Sequence, residues 1–359
     1  MKQETASKGA LSQRYDAYIR RIIVINLLLF VLILISIVIS ASIGVDGYDF
    51  PMVFRTMLGQ GSSGENLILF NIRLPRIASA LIAGAGLALA GCVMQNVLKN
   101  PLASPSTLGI TNGAAFGANL GILFLGAGSM QSSDSDAVVI ANPYIVTVCA
   151  FVCAVAAMLV ILSLSKIRAF NTSVIVLAGV AVSSLFGAGT TFIQYFANEN
   201  HIATATFWTF GNLARASWNE ILLMLVVVAL SSIYFVYSRW NYNAMAAGEL
   251  PAKSLGVNVE QVRFISMMLA SVITAVCVSF LGIISFIGLI SSQIMRRIVG
   301  NDHRYLIPAS ALMGSLLLLV SDTLSRTLIS PTVLPVGIIT SFFGAPLFLY
   351  ILIRDYKKV

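Results

Sequence analysis

Apolar residues fall in ten stretches separated by short polar breaks, near residues 22–43, 75–97, 106–127, 143–164, 173–197, 219–238, 261–282, 284–299, 308–328 and 335–353. A helix rises about 1.5 Å per residue, so roughly twenty apolar residues cross a hydrocarbon layer ~30 Å thick. The stretch 22–43 has that length without a charged residue. Strand-like alternation is absent, and lipid offers no partner for a bare peptide group, so the pattern predicts helices rather than a barrel. The eighth stretch is short, which predicts a tilted or partly buried helix. The expected fold is an all-α polytopic membrane protein of about ten transmembrane helices. It comprises an N-terminal segment (1–21), one ten-helix domain (22–353) and a tail (354–359).

Composition agrees with a lipid environment: 58% hydrophobic residues, 10% charged and a mean hydropathy of +0.90 stand far from the roughly 25% charged residues of a soluble domain. Positively charged loops tend to stay in the cytoplasm, and an even number of spans puts both termini on one side. With that side inside, all but Arg55, Arg73, Arg76, Arg215 and Arg326 of the 22 Lys and Arg residues lie in cytoplasmic segments. The acidic Asp46, Asp49, Glu65, Asp134 and Asp136 lean outward. The net charge of +8 therefore follows from topology, and no nucleic-acid partner is needed to explain it. The first apolar run is much longer than a signal-peptide core, so it reads as a retained anchor.

Small residues crowd the second and third stretches, among them Gly84, Gly86, Gly91, Gly113, Gly117 and Gly121, a composition that lets helix backbones approach closely where lipid gives no hydrophobic drive. The four cysteines lie inside apolar stretches, with no His or carboxylate near in sequence, and read as small fillers rather than metal or redox groups. No phosphate-binding G-x-x-x-x-G-K-[ST] loop occurs. Energy for any transport must come from an ion gradient or a separate subunit.

Two polar interruptions stand out. Residues 241–260, NYNAMAAGELPAKSLGVNVE, separate the sixth and seventh stretches on the cytoplasmic side. They predict two short helices, 244–249 and 252–255, broken at Pro251 and closed by Gly256, either as a docking element for a soluble partner or as a solvated connector. The other is Arg73-Leu74-Pro75-Arg76 at the outer edge of the second stretch, echoed by Arg326 near the outer end of the ninth. Arginine forks there can receive the carboxylates of an extracellular partner or snorkel to lipid headgroups.

Taken in order along the chain, several motifs resemble one family. They are Arg73-Leu-Pro-Arg76, Gln95, Asn100-Pro-Leu-Ala103, Gly248-Glu249 with Ser254-Leu-Gly256, Phe286-Ile-Gly-Leu289, Asp302-His-Arg304, Asp322, Arg326, Pro335-Val-Gly-Ile338 and Gly344-Ala-Pro346. Together, from about Tyr48 to Arg354, they resemble the FecCD or BtuC-like permease subunits of ATP-driven importers for iron-siderophore, haem and cobalamin. The resemblance implies a pair of permeases, identical or similar, around a central path, two cytoplasmic ATPase subunits that use ATP and Mg, and an external substrate-binding protein. It implies a prokaryotic cytoplasmic-membrane location, no catalytic residue, and neither cofactor nor metal on this chain.

Carried over by position, Gly248, Glu249, Ala252, Ser254, Leu255 and Gly256 match the coupling helices that seat in the ATPase. Arg73, Arg76 and Arg326 match the arginines that meet glutamates of the binding protein, and Gln194, Thr340 and Ser341 are polar candidates for the path wall. Two departures stand out: Ser291-Ser-Gln293 replaces the Pro-His of many relatives, and Val333 replaces a frequent glutamate. An ion-coupled secondary transporter is the alternative class. It would normally place ionisable residues in mid-membrane, where Asp322 is the principal carboxylate, about a turn from Arg326. On the topology above, a single cysteine introduced at Leu250 reacts with an impermeant maleimide only from the cytoplasmic face. Labelling from outside would reverse the assignment.

Overall fold

The computed structural model describes residues 2–43, 50–125, 128–130, 138–140, 142–167 and 172–356. Asp46, Asp49, Asp134 and Asp136, together with Arg168, Lys357 and Lys358, lie outside the described residues. Each of the ten apolar stretches forms a helix: α1 (Lys2–Ser42), α4 (Leu74–Val97), α5 (Ile110–Leu123), α6 (Pro143–Ile167), α7 (Thr172–Tyr195), α9 (Trp218–Tyr237), α12 (Val259–Leu281), α13 (Ile287–Val299), α14 (His303–Thr327) and α15 (Val336–Tyr356). Short helices fill the connections: α2 (Phe50–Met57), α3 (Ser63–Leu67), α8 (Glu199–Thr209), α10 (Arg239–Ala247) and α11 (Glu249–Ser254). Strands β1 (Gly128–Met130) and β2 (Val138–Ile140) pair antiparallel, a small hairpin that the hydropathy pattern did not predict.

Among the described residues, seven helical spans are long and apolar enough to cross a membrane. Two of the ten expected crossings are shorter than their apolar runs. Over the third stretch, Pro105 and a 3-10 turn at Ser106–Leu108 delay the helix to Ile110. Over the eighth, the chain turns at Phe286, with φ +67, before α13 begins. Its 13 residues reach about 20 Å, too short for the hydrocarbon layer, and it packs against α4, α14 and α15. The non-helical backbone around these breaks is satisfied by protein: Asn212 N donates to Leu281 O at 2.7 Å, and Phe210 bridges Ile283. Irregular backbone at membrane depth requires such partners.

α4 is the axis of the bundle. In the apolar window of its span 78% of residues are buried, against 17% for α1 and for α7, and it contacts α9, α12, α13 and α14. Small residues make this possible. A Cβ on Gly84 would lie 2.5 Å from the carbonyl oxygen of Gly314 in α14, and one on Gly91 would strike the carbonyl of Gly288 in α13. Gly117 of α5 meets the Cys149 carbonyl of α6 in the same way. Helix ends carry side-chain caps: Ser62 with Glu65 for α3, Asn258 for α12 and Asp302 for α14.

Gly84→Val should cost ~1–3 kcal/mol, the usual range for overpacking, and lower the midpoint of thermal unfolding in detergent. Gly187→Ala, where an added methyl group meets open space, should leave it unchanged. Equal effects of the two would refute backbone contact as the basis of the α4 packing.

Candidate functional site

The residues singled out in the sequence gather mainly at the two ends of α4, which its 24 residues set about 35 Å apart. At its N-terminal end, residues Ile68–Arg73 form a widened π turn directly ahead of Pro75. A proline supplies no N–H and its ring presses on the preceding turn, which opens the helix there and hands Arg73 and Arg76 to neighbouring elements.

Arg73, Arg76 and Arg326 are all buried, at 5%, 9% and 8% exposure, and Asp322 is wholly buried. Arg76 Nε donates to Asp322 Oδ1 at 2.7 Å. Arg326 Nε lies 3.2 Å from Asp322 Oδ2 without the alignment of a hydrogen bond. The one-turn spacing of Asp322 and Arg326 brings them together as an i, i+4 pair, and Arg76 joins it from 246 residues away. Arg326 also donates to Ser40 Oγ at 2.6 Å, to Ser40 O and to Ile43 O, and Arg73 donates to Ala41 O. These carbonyls belong to the last turn of α1 and the residue after it, where helix geometry leaves acceptors unpaired and the dipole is negative. The arginines therefore brace three helix ends, α1, α4 and α14, rather than presenting open forks. Arg55 and Glu65 form a separate pair at 3.2 Å, with Arg55 half-exposed.

The opposite end holds the coupling candidates. Two short helices do form, with the break at Gly248 (φ +136) and not at Pro251. Pro251 falls in the first turn of α11, where a missing N–H removes no helical bond, whereas Gly248 takes a backbone conformation that side chains disfavour. Gly256, at φ +81, closes the segment as expected. Ala252 is fully buried, Leu250 and Leu255 are exposed, and Ser254 Oγ donates to Leu250 O at 3.0 Å. α11 thus presents two leucines outward from a seated base.

What seats it is an arginine absent from the sequence-derived candidates. Arg263, 3% exposed, forms a salt bridge with Glu249 and donates from Nε to the Val97 carbonyl at 2.9 Å. The hydrogen bond from Arg263 holds the Glu249 carboxyl below its ordinary range, against the opposing effect of burial. α10 is fastened likewise: Asn96 Nδ2 donates to Tyr242 O, Tyr242 Oη pairs with Ser266 Oγ at 2.8 Å, and Asn243 Nδ2 donates to Asp302 Oδ1. The signal available in the sequence was a lone arginine near the start of an apolar helix, which by default marks function. Beyond Val97, Gln293 Nε2 donates to Gln95 Oε1 at 2.9 Å and to Pro101 O at 3.2 Å, tying the turn after α4 to α13.

The three path candidates are not brought together. Gln194 of α7 donates to Asn119 Oδ1 of α5 at 2.9 Å. Thr340 is buried and bonded to Gly337 O within α15. Ser341 lines a 470 Å³ cavity with Thr209, Phe210, Ile283, Ser285 and Phe342.

The sequence pattern of the FecCD transport family matches residues 32–354. The chain belongs to the FecCD transport family. A Methanocaldococcus jannaschii protein, provisionally named an ABC transporter permease, is 49% identical over 97% of this chain and 99% of its own length. The hemin transport system permease protein HmuU of Yersinia pestis is 33% identical over 92% of this chain and 95% of its own. A solved structure, described as an inward-facing conformation of an ABC transporter provisionally typed as metal-chelate, superposes with a TM-score of 0.79 at 30% identity, covering 92% of this chain and 99% of that one. This FecCD member is accordingly a multi-pass membrane permease.

Asp322→Asn should destabilise the protein by ~3–5 kcal/mol, the cost of stranding buried charges, read as a large fall in unfolding midpoint. Arg55→Gln should stay within about 1 kcal/mol, as for exposed pairs. A neutral Asp322 variant would remove the bracing role.

Proposed function

We propose that this chain is the membrane-spanning subunit of an ATP-binding cassette importer for an iron chelate, haem or a corrinoid. It works as one of two permeases, identical or similar, with two cytoplasmic ATPase subunits that bind ATP and Mg, and with an external substrate-binding protein. Both termini face the cytoplasm, and transport proceeds by alternating access. Family membership and the haem-permease relative support the cargo class.

The observation that carries the coupling role is the Glu249–Arg263–Val97 link. Gly248, Glu249, Ala252, Ser254, Leu255 and Gly256 form the ATPase-facing element, with Leu250 and Leu255 as its apolar contacts. A displacement of α11 reaches the end of α4 through Arg263, and from there the turn at Asn100 and Pro101. Such coupling needs a contiguous mechanical connection with two arrangements. The binding protein docks at the arginine end. Arg73, Arg76 and Arg326 shape that surface by holding its helix ends, and they meet a partner's carboxylates only on releasing Asp322 and the α1 carbonyls. Gln194, Thr340 and Ser341 line the path once two copies enclose it. Against ion coupling, Asp322 is held between two arginines and is not a free proton or cation carrier.

In proteoliposomes containing the ATPase and binding protein, Arg263→Gln should leave ATP hydrolysis near wild type and reduce uptake of a radiolabelled ferric chelate ~tenfold, within the usual range of coupling effects. Because the Glu249 pKa is depressed, the link is intact above the ordinary carboxylate value of 4.5 and is lost only as pH falls through the lowered one, so the defect should not vary between about pH 6 and 8. Uphill uptake by this chain alone, without ATPase or binding protein, would overturn the reading.

A further inference from the structure

A cavity of 420 Å³ opens where α4 ends, bounded by the turn at Asn100 and Pro101, by α10 and by the last turn of α13. Gln95, Lys99, Asn100, Gln293, Arg296 and Asn301 are among its lining residues, and no Asp or Glu is. Several of its hydrogen-bonding groups are already committed. Three lining amide oxygens are already accepting: Gln95 Oε1 from Gln293, Asn100 Oδ1 from Leu102 N and Asn301 Oδ1 from Arg296 Nη1 at 3.1 Å. Gln293 Nε2 is committed twice, to Gln95 and to the Pro101 carbonyl, which fixes the orientation of both amides. Three buried donors remain. Gln95 Nε2, on a side chain only 4% exposed, and Arg296 Nε and Nη2 are buried without an acceptor among the described residues.

Buried N–H groups require acceptors. A water filling this lining must also donate its own two hydrogens, whereas an oxyanion needs no acceptor. An oxyanion is all acceptor, and Lys99 and Arg296 supply positive charge beside it, the combination that recognises phosphate. Glu249, the carboxylate that the charge of Lys99 reaches, is held by Arg263. We propose that this cavity is a binding site for a phosphate-type oxyanion, held by Gln95, Lys99 and Arg296. The inference is independent of the cargo and of the coupling role, and the same chemistry is met by free phosphate and by a phospholipid headgroup.

The test uses the full-length chain, with whatever subunits purify alongside it in neutral detergent. One arm titrates inorganic phosphate against chloride at matched ionic strength. The other titrates phosphatidylglycerol against phosphatidylcholine in mixed micelles, both read by thermal unfolding and the second also by retained lipid in native mass spectrometry. Lys99→Gly suits the left-handed backbone there, φ +47, and removes the ammonium. Arg296→Gln is the second variant. A saturable upward shift with phosphate alone assigns a free anion, one with phosphatidylglycerol alone assigns a lipid headgroup, and either supports the site provided Lys99→Gly weakens the apparent affinity about tenfold, close to 1.4 kcal/mol. No saturable response beyond the chloride and phosphatidylcholine controls, or an unchanged response in Lys99→Gly and in whichever of the two variants folds, overturns it.

Discussion

Helices in lipid gain little from excluding apolar surface, so what holds this bundle is how closely its backbones can approach. α4 sits at the centre because its glycines meet the carbonyls of α13 and α14 directly, and this contact replaces the hydrophobic drive available in water. The other positions follow from it. α13 can be too short to span because it leans on α4 rather than on lipid, and the broken backbone near residues 210–212 and 281–286 is tolerated because neighbours supply its hydrogen bonds. The outlying α1 and α7, mostly uncovered by their own chain, are left to meet lipid or another subunit.

Charge is confined to where it can be answered. At one end of α4 two guanidinium groups, Arg76 and Arg326, share the Asp322 carboxylate, and carbonyls at the end of α1 receive Arg326 and Arg73. At the other end one guanidinium joins α11 to the terminal carbonyl of α4. In both places arginine bonds to backbone as well as to an acid, which its fixed fork of five donors permits and a lysine would not reproduce. The rigid core thus terminates in two polar assemblies of different character. The Asp322 cluster is enclosed on all sides, whereas the Glu249 link has a half-exposed carboxylate on α11, which Gly248 and Gly256 flank.

Much of this architecture was legible in the sequence because it depends on local pattern. Length and hydropathy mark each of the ten helices, and the glycine at 256 marks a stop. Where local rules compete, the reading erred. Pro251 looks like a breaker, but a proline in a first turn costs nothing, and the less conspicuous Gly248 takes the break. Long-range pairing was invisible: no local pattern joins Arg76 to Asp322, or Arg326 to the end of α1, so residues that look like outward-facing charges are turned inward. The same holds for Arg263, whose significance lies in reaching both Glu249 and Val97, and for Gln95 and Gln293, whose pairing crosses 198 positions.

The glutamine at position 293 has a consequence of its own. The turn following α4 is tethered to α13 by carboxamides, groups that neither gain nor lose a proton in the range cells encounter, where an imidazole would change its bonding near neutrality. Acidification outside or inside the cell therefore leaves this fastening at constant strength, and any sensitivity of the protein to ambient acidity must originate elsewhere in the molecule or in its partners.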